Sequence, residues 1–297
     1  EPCLGEWLGA SRESVPREID RLAYEVHLAQ PSLTGTADIH ENALTKALRA
    51  ASRDRPDARL MRLEEYLRDR AGLLSAHGEG WYQFPHRSFQ EYLAACHLAR
   101  FQFPDRLSEL AKADPDRWRE VLLLAAASVR NAPTAIWDLV DTLCGERVDP
   151  DPDAPEPDSE AQWGALLAGQ ALHETGLAAA DPHLQERHES KRRRVRNWQC
   201  WLLRSRRLPA RERALAGDLL ATLGDPRREL LDVDHLRFAF VPRGAFWMGD
   251  EGDREAPLHR NETLDYDYWI AESPVTVAQF AQFVDSTGGE APDPEAL

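Results

Sequence analysis

The chain has 297 residues, 42% of them hydrophobic and 29% charged, which is ordinary globular usage and excludes wholesale disorder or a low-complexity array. The longest run of apolar character, Val121 to Val129, is nine residues, whereas a membrane-spanning helix needs about 20, so no membrane is expected as a partner. A formal charge of −15 argues against bulk binding to nucleic acid or to an anionic surface.

The four cysteines, Cys3, Cys96, Cys144 and Cys200, are too far apart in sequence for a CxxC metal site or a disulfide scaffold. Reduced thiols and a cytoplasmic location are the expectation. No basic-plus-apolar leader opens the chain. It begins at Glu1 and ends at Leu297 within a Pro/Glu stretch, so a piece of a longer protein is expected.

Ile19, Leu22, Ala23 and Val26 fall at i, i+3, i+4, i+7 and predict a first helix. Leu60, Leu63 and Leu67 predict another, ended by Gly72. Gly78-Glu79-Gly80 sits between Leu73–Ser75 and Trp81–Phe84, a hairpin signal. Pro85 closes it, and a helix starts near His86 with Phe89, Leu93 and Cys96 facing one way and Tyr92 beside them. Cys96 is expected to be a small core residue. This order of helices and hairpin is that of a winged-helix domain.

Asp114-Pro115 supplies an N-cap and a proline at N1, with Trp118, Val121, Leu122, Ala125 and Val129 as the apolar stripe behind it. Ile136, Leu139, Val140 and Leu143 form the next stripe. Residues 149–160 (DPDPDAPEPDSE) hold six acidic residues, four prolines and no base, which marks a linker. Trp163, Leu166, Leu167 and Gln170 follow, then Val195, Trp198 and Leu202, then Leu215, Leu219, Leu220 and Leu223 before Gly224. Repeated helices of this size suggest an α-solenoid-like, loosely HEAT-like region. Leu236, Phe238 and Phe240 then alternate with less apolar neighbours and predict a half-buried strand, with Phe246 to Met248 returning after Pro242-Arg243-Gly244. Thr276 with Gln279 is a capping box opening a helix that carries Val277, Phe280, Ala281 and Val284 and stops at Gly288-Gly289. The chain thus reads as mostly α in three parts: 1–110, 111–230 and 231–297. Residues 251–267 and 288–297 are expected to be poorly ordered.

Lys191 to Arg196 is a basic run, read as a solvated helix face in preference to a nucleic-acid patch. Arg62, Arg68 and Arg70 on the second predicted helix are interleaved with Glu64, Glu65 and Asp69, so DNA reading is not expected. His183, Glu186, His188 and Glu189 match no common zinc spacing, and no metal is expected there. Asp250 to Asp253 is read as an exposed turn, with calcium as the competing reading.

The stretch Tyr82-Gln83-Phe84-Pro85-His86-Arg87-Ser88-Phe89-Gln90-Glu91-Tyr92-Leu93-Ala94-Ala95 resembles the FxHxSFQEYxAA signature of NACHT-type signalling NTPases, and Tyr66 to Leu74 is family-like too. The resemblance spans about residues 15–100. It implies the winged-helix end of a NACHT module, an upstream nucleotide-binding domain in the same protein, and ATP or ADP in that parent. It also implies that His86 reaches the nucleotide's terminal phosphate in the closed, ADP-bound state. An imidazole at a helix N-terminus suits that role. The competing reading is that His86 only caps its helix in a packed corner. No GxxxxGK[ST] occurs in the 297 residues, so no cofactor and no nucleotide hydrolysis are assigned to this chain alone.

Phe240 to Gly249, Glu255 to His259 and Tyr268 to Thr276, in that order, resemble the opening of the sulfatase-modifying-factor, or formylglycine-generating-enzyme-like, α+β fold, a C-type-lectin-like architecture. Val277 stands where many members have Asn. The resemblance implies a truncated domain and leaves room for calcium in the complete one. True formylglycine-generating members oxidise cysteine with a cysteine pair near the far end of the domain, and no cysteine follows Cys200 here. The expected function is therefore a regulatory or transmission segment of a nucleotide-switched protein, with no complete catalytic site. The alternative is part of a formylglycine-generating-enzyme-like oxidoreductase or ligand-binding protein regulated by a NACHT module. A protein partner on the helical region is a further expectation.

Overall fold

A computed structural model describes residues 13–52, 60–145, 157–179, 186–262 and 264–288. Most of the acidic stretch 149–160, the position of His183, and residues 289–297 lie outside the described residues. Contacts divide the chain into two units, Glu1–Gly224 and Asp225–Leu297.

The first unit opens with α1 (Ser14–Ala29), whose predicted stripe buries Ile19, Leu22 and Ala23. Strand β1 (Asp38–His40) follows and runs straight into α2 (Glu41–Ala51), where the His40 ring accepts a hydrogen bond from Asn42 N at 3.1 Å. Helix α3 (Leu60–Glu65) continues as a wide π turn over Tyr66–Arg70, and Gly72, at φ +60°, ends it. The predicted hairpin is β2 (Ser75–Ala76) with β3 (Trp81–Gln83). Strand β1 pairs antiparallel with the other side of β3, giving the order β1-β3-β2. Three residues are too few to show a strand period, so β1 left no sequence signal. Its Ile39 is fully buried beside Leu44, Leu63, Leu67 and Phe84, the core of the winged helix.

Helix α4 (Arg87–Phe101) is followed by α5 (Asp105–Ala113), α6 (Pro115–Ser128), α7 (Pro133–Leu143), α8 (Ser159–Glu174), α9 (Glu186–Ser205) and α10 (Ala210–Leu223). Asp114 caps α6 through Arg117 N at 3.2 Å, with Pro115 in the first turn, where no amide N–H is needed. Helix α8 packs on α5, α6, α7, α9 and α10. It is buried on every side from Gly164 to Leu172, which explains an apolar sequence with little amphipathic pattern.

Ala94, Ala95 and Leu98 of α4 belong to the second apolar core, with Trp118, Leu122, Ile136, Trp137 and Leu166. Small residues on α4 let α6 approach it closely. The division expected at 110 falls inside α5, and α4 itself is shared between the winged helix and the helical region.

The basic run of α9 is a correction. Lys191 and Arg192 are buried, and of residues 191–196 only Arg193 is exposed. Lys191 and Arg194 both pair with Asp141 of α7, and Lys191 also donates to the Trp137 carbonyl at 3.3 Å. Arg192 donates to Glu189 at 2.8 Å and to the Ala178 carbonyl at 3.4 Å. These cations fasten α9 to its neighbours, where the sequence reading placed them in solvent. Trp198 is buried as expected.

In the second unit, short α11 (Arg228–Leu231) and a 3-10 turn at Val233–His235 precede β4 (Phe238–Val241), β5 (Phe246–Met248), β6 (His259–Asn261), β7 (Tyr268–Ala271) and α12 (Val277–Thr287). The predicted return of β5 along β4 does not occur. Strand β4 pairs with β7, and β5 with β6. The reason lies at the turn: Gly244 N donates to the Leu264 carbonyl at 3.1 Å and Arg243 N to Asp267 at 2.8 Å. These bonds direct the chain toward the 264–267 segment. Within 251–267, residues 259–261 form β6, which pairs along its length with β5. Phe238 and Phe240 are exposed, so β4 lacks the half-buried face its alternation predicted.

The capping box of α12 is present. Thr276 Oγ1 accepts from Gln279 N at 3.2 Å, and the Gln279 amide oxygen accepts from Thr276 N at 3.0 Å. Thr276 and Gln279 also donate to the Leu230 and Glu229 carbonyls of α11. Val277, where an Asn was noted as usual, is 85% exposed and takes no part in this bonding.

Candidate functional site

His86 is the N-cap residue of α4, with extended backbone at φ −141° and ψ 149°. Its side chain makes no capping bond, and it is exposed. Its carbonyl accepts from Phe89 N at 3.1 Å and Gln90 N at 3.4 Å, so the backbone begins the helix without the imidazole. The ring lies near-parallel to Phe89, 6.3 Å between centroids. Capping in a packed corner is thus not what this imidazole does. It stands at a helix N-terminus, where unpaired N–H groups favour an anion.

The covered face of α4 differs from the one its spacing predicts. Phe89 and Tyr92 are 42% and 51% exposed, and Leu93 and Cys96 are only partly buried. Tyr92 hydrogen-bonds the Cys96 thiol, and burial pushes that thiol's pKa up. The buried face carries Gln90, Ala94, Ala95, His97 and Leu98, because α4 packs on α1 and α6 from that side.

Three signature residues have structural partners. Arg87 donates to Glu91 at 2.7 Å and to the Leu33 carbonyl. Gln90 is wholly buried: its Oε1 accepts from Ala37 N at 2.8 Å. Its Nε2 therefore faces His27 Nδ1 at 2.9 Å and Gln30 Oε1 at 3.0 Å. His27 Nδ1 must accept, which puts the ring proton on Nε2, 3.2 Å from the Arg117 carbonyl. Spacing alone gave no hint of this network, since its partners lie 53 to 90 positions apart.

Burial holds the His27 imidazole pKa below its ordinary 6.5, despite the bond to the Arg117 carbonyl. Burial lowers His97 and His188 likewise. The unfolded chain thus binds protons that the folded chain refuses as pH falls below about 6.5, and stability declines through that window. Buried Asp20 has a raised pKa and acts oppositely, but only from near its ordinary 3.8 upward to its raised value. The expected result is a melting temperature that falls from pH 7 to pH 5, with a smaller fall in His27→Gln. A flat wild-type profile by calorimetry would refute it.

Elsewhere, Arg68 is paired with Asp69 and Glu64, so the α3 region offers no clean cationic face through it. Glu64 also accepts from Tyr82, whose phenol is pushed up to about 12 by that bond and by burial. His188 stacks on Trp137 at 5.1 Å. Asp250 and Asp253 accept from the Gly252 and Glu255 amides of their own turn. Among the described residues no group of three or more His, Cys, Asp or Glu could hold a metal, and no helix is long and apolar enough to cross a membrane. A polar depression of about 750 Å³ between α1 and α2 is lined by Arg21, Asn42, Lys46 and Arg49 among others, not by His86.

Residues 7–98 match the winged helix-turn-helix domain C-terminal to NACHT. Residues 232–295 match the sulfatase-modifying factor enzyme 1-like domain. The chain joins a NACHT-associated winged helix to a sulfatase-modifying-factor-like segment. No curated protein and no solved structure matches it. His86 and the buried Gln90 both fall inside the NACHT-associated match, whereas Asp114 and Arg117 fall outside it. The sulfatase-modifying-factor-like match contains no cysteine.

Proposed function

We propose that this chain is a regulatory and transmission segment of a nucleotide-switched, multidomain signalling NTPase. His86 contacts the terminal phosphate of ADP held by an upstream nucleotide-binding domain of the same protein. Exchange for ATP releases that contact, and the α-solenoid-like, HEAT-like helices pass the change onward. The observation that supports this most is His86 itself: exposed, uncapped and at the N-terminus of α4, inside a segment matching the domain that follows NACHT. A switch of this kind needs contacts that differ between its two states, and a phosphate contact supplies one. Free thiols at Cys96 and Cys144 accord with a cytoplasmic setting. A protein partner on the helical region, and calcium in the completed last domain, belong to the same reading.

The test is ADP retention by the full-length protein carrying His86→Ala. Loss of a hydrogen bond to a charged group should weaken ADP about tenfold or more. Unchanged affinity with unchanged basal signalling would remove the role from His86.

A second reading takes its support from the match over residues 232–295: the parent is a formylglycine-generating-enzyme-like oxidoreductase or ligand-binding protein, with the NACHT part regulating it. Full-length protein incubated with a cysteine-containing peptide under oxygen should then consume oxygen and thiol together. No turnover would set the oxidase reading aside.

A further inference from the structure

Helix α1 ends with carbonyls that have no intrahelical partner. Here the cation that meets them comes from outside the winged helix. Arg117, in the first turn of α6, donates through one terminal nitrogen to the His27 carbonyl at 2.7 Å and the Gln30 carbonyl at 2.8 Å. Its Nε donates to Asp114 at 3.0 Å, and Asp114 in turn caps α6, so the guanidinium is held in place from its own side. The Arg117 side chain is only 14% exposed. The Arg117 carbonyl accepts from His27, and the next residue, Trp118, sets its ring edge-on to the His27 ring at 4.8 Å.

From the other side, Gln90 of α4 holds His27, Gln30 and the Ala37 amide at once. A continuous path of short polar contacts thus runs from α4, one turn after His86, through the C-terminus of α1 and into α6. His27, Gln30, Ala37 and Gln90 lie within the winged-helix match, whereas Asp114 and Arg117 do not.

We infer that the Gln90–His27–Arg117 network is a rigid coupling that makes the winged helix and the helical region move as one body, with Arg117 as its positioning residue. A charged donor shared between two carbonyls in a nearly dry site is stiff, and losing it leaves buried acceptors unpaired. The coupling is a property of this chain. Only what it transmits, movement imposed at His86, rests on the function proposed above.

Hydrogen exchange on the whole chain tests it. In the wild type, α1, α4 and the first turns of α6 should open together. Arg117→Ala should speed exchange at the end of α1, in residues 30–37 and in α4 by about tenfold or more, leaving α8 to α10 unchanged. Gln90→Leu should speed exchange at the start of α6, although the hydrogen bonds it removes go to Ala37, His27 and Gln30 and not to Arg117. Arg117→Lys, which keeps a donor and the charge, should recover part of the protection. The double variant should be no worse than the poorer single one, because both cut the same path. Uniform acceleration of all helices, strict additivity, or no change in either single variant would overturn the coupling. Should Arg117→Ala not fold, the Gln90→Leu and Arg117→Lys arms decide alone. ADP retention with His86→Ala is a separate readout. Coupling can fail there while the phosphate contact stands, and the reverse.

Discussion

Trp118→Ala should cost the first unit about 3–5 kcal/mol, the usual range for deleting a large buried aromatic side chain. The ring is 1% exposed and lies in the second apolar core. It meets Tyr24 at 5.9 Å and His27 at 4.8 Å, both on α1. Such aromatic pairs contribute roughly 0.5–1.5 kcal/mol beyond burial. A hole here also loosens the packing that sets Arg117 against the end of α1, so relaxation is limited on two sides. Domains are stable by only about 5–15 kcal/mol, so the variant should unfold at much lower urea. Trp81→Ala is the contrast. Its ring is 42% exposed, packed edge-on to His40, and its loss should cost about 1 kcal/mol or less. Equal urea midpoints for the two variants would show that the junction between α1 and α6 carries no special packing.

The two differ in a way that sequence showed only in part. Trp118 stands in a predicted helical stripe with Val121, Leu122, Ala125 and Val129; periodicity places the first four in the core correctly, while Val129, just past the end of the helix, is only partly buried. The same argument failed for α4. The spacing of Phe89, Leu93 and Cys96, with Tyr92 beside them, predicts the packed face, yet the face that packs carries Gln90, Ala94, Ala95, His97 and Leu98. Periodicity finds a stripe, but which stripe is covered depends on neighbours that arrive from far along the chain. Small residues on the covered face are what let α1 and α6 come close.

Charge misled in a similar way. A run of bases reads as solvated because buried cations are costly without partners. Asp141, 50 positions before Lys191, supplies the partner, and no local pattern announces it. His86, by contrast, was legible from the residues around it: a proline just before it and a helical run just after placed it at a helix start. What sequence could not show was that its ring is exposed and makes no cap bond. The same holds in the second unit, where each predicted strand exists but the pairing of β4 with β7 depends on backbone bonds at Arg243 and Gly244.

Gly164→Ala should be strongly destabilising, although the same change in most helices helps. In an exposed helix interior, alanine is favoured over glycine by about 1 kcal/mol. Gly164 lies near the start of α8, against the C-terminus of α7. A methyl group there would fall well inside contact distance of the Leu143 carbonyl oxygen and 3.0 Å from the Lys112 Cδ. The lysine tail can turn aside, although its Nζ is bonded to the Thr142 carbonyl at 3.2 Å. The carbonyl belongs to the backbone of α7 and cannot. Helix α8 must therefore move, and it is enclosed by five other helices, so the displacement spreads through the whole core. Overpacking of this kind costs typically 1–3 kcal/mol and sometimes more, enough to outweigh the propensity gain. A net loss of about 2 kcal/mol is expected from urea unfolding. Gly217→Ala in α10 is the opposite case: its added methyl would meet only the Leu203 Cδ2 at 3.9 Å, an ordinary contact. There propensity acts alone, and a gain of about 0.5–1 kcal/mol is expected. If Gly164→Ala were neutral or stabilising, α8 would not be held against α7 as closely as its position at the centre of the helical core requires.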